Sequence, residues 1–171
     1  MTFTIRPATP ADVNHILSMI VELAVFEKLE HQVVATEALL HEGLFGARPA
    51  CEAIIGEADG EVVTFALFFH NFSTFLTRKG LYLEDLYVRQ SQRGQGFGKA
   101  ILGRLAQIAV ERHCGRFEWS VLDWNAPAIA LYKSLGADVM PEWRICRLTG
   151  DALVSLAGAP ASTPPAQTTP A

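Results

Sequence analysis

Residues 93 to 98, Arg-Gly-Gln-Gly-Phe-Gly, alternate glycine with larger side chains where a β-like run, LYLEDLYV (81–88), gives way to a helix-like run, KAILGRL (99–105). A glycine-paved turn lets backbone N–H groups approach a ligand, and the start of the following helix favours negative charge. The chemistry on offer is therefore the holding of a phosphate. Two common phosphate loops are excluded by spacing. A Walker loop needs glycine five positions before Gly98-Lys99 and Ser or Thr after it, but Arg93 and Ala100 stand there. A dinucleotide fingerprint needs a third glycine after Gly94-x-Gly96 or Gly96-x-Gly98, and Lys99 and Ile101 occupy those places.

Just upstream, Glu84 and Asp85 are adjacent carboxylates in the strand-like run. Side chains alternate along a strand, so the two are expected on opposite faces, with only one looking into a given cleft. A carboxylate so placed can accept a proton. The five histidines, at 15, 31, 41, 70 and 113, show no metal-ligand spacing and are given no catalytic or metal role. Trp119 and Trp124 read as core or cleft-wall residues.

These groups need a frame. FTIRPA alternates as a short strand. TPADVNHILSMIVELAVFEKL then carries apolar residues at helical spacing, with Thr9 as cap and Pro10 at the first position. A second helix is expected at TEALLHEGLF behind Thr36. CEAIIGEA, the turn DG and EVVTFALFFHNF read as a β-hairpin, and GLYLEDLYV as the next strand after a loop containing STFLTRK. A helix from about Gly96 to Arg112 turns Ile101, Leu102, Leu105, Ile108 and Ala109 inward. RFEWSVL is a strand, APAIALYKSLG a helix closed by Gly136, and EWRICRL a final strand. The fold class is α/β, a mixed sheet with helices on both faces.

The chain of 171 residues fits one domain, 1–157, and a Pro/Ala/Thr-rich tail, 158–171, whose composition predicts disorder. A net charge of −4 argues against extended nucleic-acid binding and leaves room for a cationic partner. No run of about 18 apolar residues spans a membrane, and the N-terminus lacks the pattern of a secretory signal. Cys51, Cys114 and Cys146, far apart in sequence, read as buried reduced thiols of a cytoplasmic protein.

The loop Arg93-Gly94-Gln95-Gly96-Phe97-Gly98 closely resembles the R-x-x-G-x-G signature of the GNAT acetyltransferases. LYLEDLYV, WNAPAIALYKSLGA, IRPATPAD and EWRICRL follow that family's order, over residues 3 to 150. More narrowly, IRPATPAD, ELAVFEKLEHQV, LYLED and EWR resemble the spermidine/spermine and thialysine N-acetyltransferase branch. The resemblance implies a GNAT-type, mostly antiparallel central sheet. It also implies acetyl transfer from acetyl-coenzyme A to a primary amine of a small molecule, a diamine, polyamine or thialysine-like compound. Residues 93 to 99 would hold the pyrophosphate through their backbone, with the side chains of Arg93 and Lys99 neutralising it and Arg89 and Lys133 read as surface residues, while Leu86, Tyr87 and Val88 would carry the pantetheine arm and the oxyanion.

By the same resemblance Glu84 is the proton acceptor, directly or through water, and Tyr132 protonates the leaving thiolate. Asn125 touches the cofactor arm, although helix capping explains it nearly as well. Glu27, Glu84, Asp85, Glu142 and Trp143 surround the amine, and Glu22 and Glu30 lie near Glu27. The chain departs from the polyamine enzymes at Ser73 and Phe75, where those carry an acidic residue and a tryptophan. A homodimer is expected from the branch alone. A non-catalytic coenzyme A sensor and a protein or peptide acetylase are the alternatives. The presence of both Glu84 and Tyr132 speaks against the sensor.

Overall fold

The computed structural model describes residues 2–158. They fall into two compact units, divided between Ser120 and Val121. All but the first residue of the 158–171 tail lies outside the described residues.

The first unit is a five-stranded sheet in the order β1-β2-β3-β4-β5, formed by Phe3–Pro7, Glu52–Ala58, Glu61–Ser73, Arg78–Val88 and Phe117–Trp119. The first four strands pair antiparallel, and β5 runs parallel to β4 for three pairs, ending at Leu83↔Trp119. Asp59 and Gly60 both take positive φ in the β2–β3 turn, which matches the right-handed twist of a two-residue hairpin. The middle of β3 is buried without alternation, as expected of a strand covered on both faces.

Helices α1 (Val13–Glu27) and α2 (Glu37–Phe45) cover one face; Ile16, Met19 and Leu44 pack there on Ala53, Ile55, Phe65 and Tyr87. Helix α3 (Phe97–Glu111) covers the other, burying the five expected inward residues together with Phe97, which stacks on Phe3 at 4.2 Å between ring centroids. Buried Asp12 fixes the entry to α1: it pairs with Arg6 of β1 at 2.8 Å and accepts from the Thr9 N–H at 2.7 Å. Thr36 caps α2 as expected, accepting from the Leu39 N–H at 3.3 Å.

The second unit contains α4 (Ala126–Ser134) and α5 (Gly150–Leu156). The expected final strand EWRICRL is absent: residues 142–148 form no ladder, and Trp143 and Ile145 are 73% and 72% exposed. Alternation supplies a two-faced ribbon, but a strand also needs a partner for its N–H and C=O groups. No other strand lies among the described residues of this unit.

Candidate active site

The sheet register corrects the expectation that Glu84 and Asp85 diverge. Asp85 pairs with Leu67 and Leu83 with Phe68, so Glu84 is an extra residue in β4, a β-bulge. Beyond the bulge, Tyr87 points into the α1 face of the sheet, while Leu86 and Val88 point to the α3 side, near Gly98. Asp85, two residues before Tyr87, therefore faces α1. Before the bulge, Tyr82 meets Phe69, which is in step with Phe65 on the α1 face, so Glu84 faces α1 as well. One inserted residue sets both carboxylates on the same side.

Their environments differ. Glu84 is exposed and Asp85 half-buried. Burial pushes the Asp85 carboxyl up to about 6, with further upward pressure from the charges of Glu84 and Glu27. Glu27, the last residue of α1, is half-buried and is itself pushed up by burial. Three carboxylates from β4 and α1 thus share one field. Glu22 is not of this group, because it pairs with Arg89 at 2.9 Å. Glu30 lies exposed in the 3-10 turn that follows α1.

Past the bulge, β4 has no strand partner on its β5 side, since that ladder ends at Trp119. The Arg89 N–H donates to the Val63 carbonyl on β3 at 3.0 Å. Alternation therefore aims the N–H groups of Val88 and Leu86 at the open edge, ready for an extended polar ligand or an oxyanion.

Gly94 and Gly96 take φ of +80° and +84°, with no atom within 4 Å of where a Cβ would sit. The glycines are used for backbone conformation and open approach rather than for tight packing. Gly96 caps α3 without any side-chain hydrogen bond, and its carbonyl accepts the first helical N–H, from Ala100 at 3.0 Å. The amides of Phe97, Gly98 and Lys99 precede that bond and lie at the positive end of the helix, where an anion is favoured. Gln95 and Lys99 are exposed beside it.

Three of the expected cofactor residues can contribute only in part. The rings of Phe97 and Tyr87 belong to the core, which leaves their backbone. Arg93 turns away from the loop: its guanidinium lies 4.6 Å from the Phe26 ring centroid and 5.3 Å from that of Tyr87, and its Nε donates to the Val88 carbonyl at 3.1 Å. Sequence reasoning gave Arg89 no partner. The signal it could have used is Glu22, Phe26 and the two arginines all falling at four-residue spacing.

In the second unit, Tyr132 of α4 is half-buried and burial raises its phenol, so it is protonated at neutral pH and has a proton to give. The Asn125 carboxamide oxygen caps α4, accepting from the Ala128 N–H at 3.3 Å. Glu142 and Trp143 are exposed. Among the described residues no cluster of three or more metal-ligating side chains occurs, and no helix is long and apolar enough to cross a membrane.

The chain is similar in sequence and in fold to known proteins. The model of the acetyltransferase (GNAT) family matches residues 17–137. The thialysine N-epsilon-acetyltransferase of Mus musculus is 41% identical, with 90% of this chain and 96% of that protein aligned. The L-ornithine N5-acetyltransferase NATA1 of Arabidopsis thaliana is 38% identical over 89% of this chain and 86% of its own length. Among solved structures, an integron cassette protein from the mobile metagenome of V. cholerae superimposes with a TM-score of 0.78 at 26% identity. That alignment covers 93% of this chain and 99% of that one.

Proposed function

Because the chain belongs to the GNAT acetyltransferase family, we propose that it moves the acetyl group of acetyl-coenzyme A to a terminal primary amine of a small molecule. A thialysine- or ornithine-like amino acid is the first acceptor to consider and a diamine or polyamine the second. The carrying observation is the bulge at Glu84. It gathers Glu84, Asp85 and Glu27 on one face while the same strand runs on into the anion-binding loop.

Bound acetyl-coenzyme A supplies an activated acetyl group and a thiol leaving group. The amides of residues 97–99 hold its pyrophosphate, with Lys99 beside them, and the free edge of β4 pairs with its pantetheine arm. The Leu86 N–H meets the charge that develops on the carbonyl oxygen. An alkylammonium has a pKa near 10, so the acceptor must lose a proton before it can attack. Asp85, titrating at about 6, is ionised at neutral pH yet still basic enough to take that proton. Glu84 and Glu27 draw the cation in. Tyr132 gives its phenolic proton to the departing thiolate.

The family match, residues 17–137, runs from the first compact unit into the second, which supports reading 1–157 as one domain. The three cysteines are unbridged and none is fully buried as expected, Cys51 and Cys114 being half-buried and Cys146 exposed; free thiols support a reducing, cytoplasmic setting. A homodimer remains part of the proposal, to be tested by sedimentation. The β3–β4 hairpin tip, where Phe75 is 97% exposed beside Phe72 and Leu76, is an apolar surface that such a dimer could cover.

The functional test is thiol release from acetyl-coenzyme A with thialysine, ornithine, putrescine, spermidine and a short basic peptide offered separately. Turnover with a small amine supports the proposal. Turnover with the peptide alone would move it to a protein acetylase, and tight coenzyme A binding with no turnover would favour a sensor.

A further inference from the structure

Arg89 precedes the phosphate loop and Arg93 opens it, but both side chains turn to α1 instead. Arg89 Nη1 donates to Glu22 Oε1 on α1 at 2.9 Å. Arg93 lies over Phe26 of α1 and Tyr87 of β4 while its Nε holds the Val88 carbonyl. Glu22 and Phe26 are four residues apart, hence stacked on one helix face. Arg89 and Arg93 are also four apart, with the 3-10 turn Gln90–Gln92 between them. The result is two rungs joining the end of β4 to the last turns of α1.

From β3, the Thr64 hydroxyl donates to the Tyr87 carbonyl at 2.6 Å. The carbonyls of Tyr87 and Val88 and the Arg89 N–H are thus each tied down. The planes of these peptides set where the Val88 N–H points, and the residue after Phe26 on α1 is Glu27. One clamp therefore touches the donor edge of β4 and the acceptor end of α1.

We propose that Arg93, supported by Arg89, is a positioning residue that holds the donor-binding end of β4 against the acceptor end of α1, and is not a ligand of the donor's phosphates. This rests on the reading of acetyl-coenzyme A as donor. An ammonium in place of the guanidinium can neither stack flat on two rings nor present Nε to a carbonyl, so lysine is no substitute in a clamp, although it serves for a phosphate.

The experiment compares wild type, Arg93→Met and Arg93→Lys, with Arg104→Met on the outer face of α3 as a control, using thialysine as acceptor. Two donors are used: acetyl-coenzyme A and acetylpantetheine, which lacks the pyrophosphate and nucleotide. A clamp predicts that Arg93→Met loses about fivefold in kcat/KM with both donors alike, the order expected of one cation–π contact, and that Arg93→Lys does not restore it. Amide hydrogen exchange of the unliganded Met variant should also be faster at residues 86–89 and 22–27. A loss confined to acetyl-coenzyme A, repaired by lysine, would overturn the inference in favour of a phosphate ligand. Should wild type use neither donor, the functional reading fails instead. Exchange in the unliganded protein then decides the clamp alone: equal rates in wild type and Arg93→Met refute it.

Discussion

Replacing Asp85 by asparagine should make the protein more stable and much less active. An ordinary aspartate titrates at 3.8 and Asp85 at about 6. Each tenfold difference in proton affinity is worth about 1.4 kcal/mol, so ionised Asp85 costs the fold about 3 kcal/mol at pH 8. The sign follows from proton binding. Between pH 4 and 6 the folded state holds a proton that the unfolded state has released, so stability falls as pH rises through that window and stays lower above it. Asparagine keeps the shape without the charge. The gain should therefore be largest at pH 8, small at pH 4, and visible as a rise in Tm of about 5–10 °C at the higher pH. Thermal melts of both proteins at the two pH values measure it.

In kinetics, wild-type kcat/KM should fall on the acid side with an apparent pKa near that of Asp85, and Asp85→Asn should lower kcat by about 10²-fold or more. Glu84→Gln, at an exposed position, should act mainly on the KM of the amine. An Asp85→Asn protein that melts no higher than wild type at pH 8 would refute the reasoning about burial. One that melts higher but retains full kcat, while Glu84→Gln loses it, would transfer the proton-accepting role to Glu84.

Tyr132→Phe should depress kcat by about 10²-fold with acetyl-coenzyme A affinity kept, measured under conditions where chemistry limits the rate; an unchanged kcat removes Tyr132 from the mechanism. Glu27→Gln should raise KM for a cationic amine, and an unchanged value would make Glu27 a bystander. Asp12→Asn should destabilise the fold by about 1.5–3 kcal/mol in denaturant titrations, since it breaks charged hydrogen bonds to a partly exposed arginine. Arg6 holds the Asp12 carboxyl well below the usual carboxylate range, so this stability is present above about pH 4 and is lost only as pH falls through the lower, folded value.

Much of the frame was legible because the sequence repeats its instruction at several levels. The α3 helix shows it: glycines before, an apolar stripe within, and all five residues of that stripe buried. The Asp-Gly hairpin and the Thr36 cap are similar cases of local chemistry fixing local shape. The bulge was illegible because a strand with one residue too many reads the same as a regular one. Only the pairing of Leu67 and Phe68 across from it reveals the slip. The expected final strand, EWRICRL, did not form, because alternation was present and a partner among the described residues was not. The short helix α5 went unread because seven residues carry little periodicity. At the site, residue types were readable and directions were not. Arg93 was legible as a cation near a phosphate loop, yet its stacking on Phe26 depends on a helix far away in sequence.

The bulge also bears on how this chain can change length. Between Leu83 and Asp85 the strand carries one extra residue, Glu84, and the side chains on either side keep the faces that a regular strand without it would give them. Removing Glu84 would restore a regular ladder in which Leu83 still pairs with Phe68 and Asp85 with Leu67, so Leu81 and Leu83 would stay buried on the α3 side. A single-residue deletion is thus tolerable to the core at Glu84, although it leaves the α1 face with one carboxylate of β4 where there are now two.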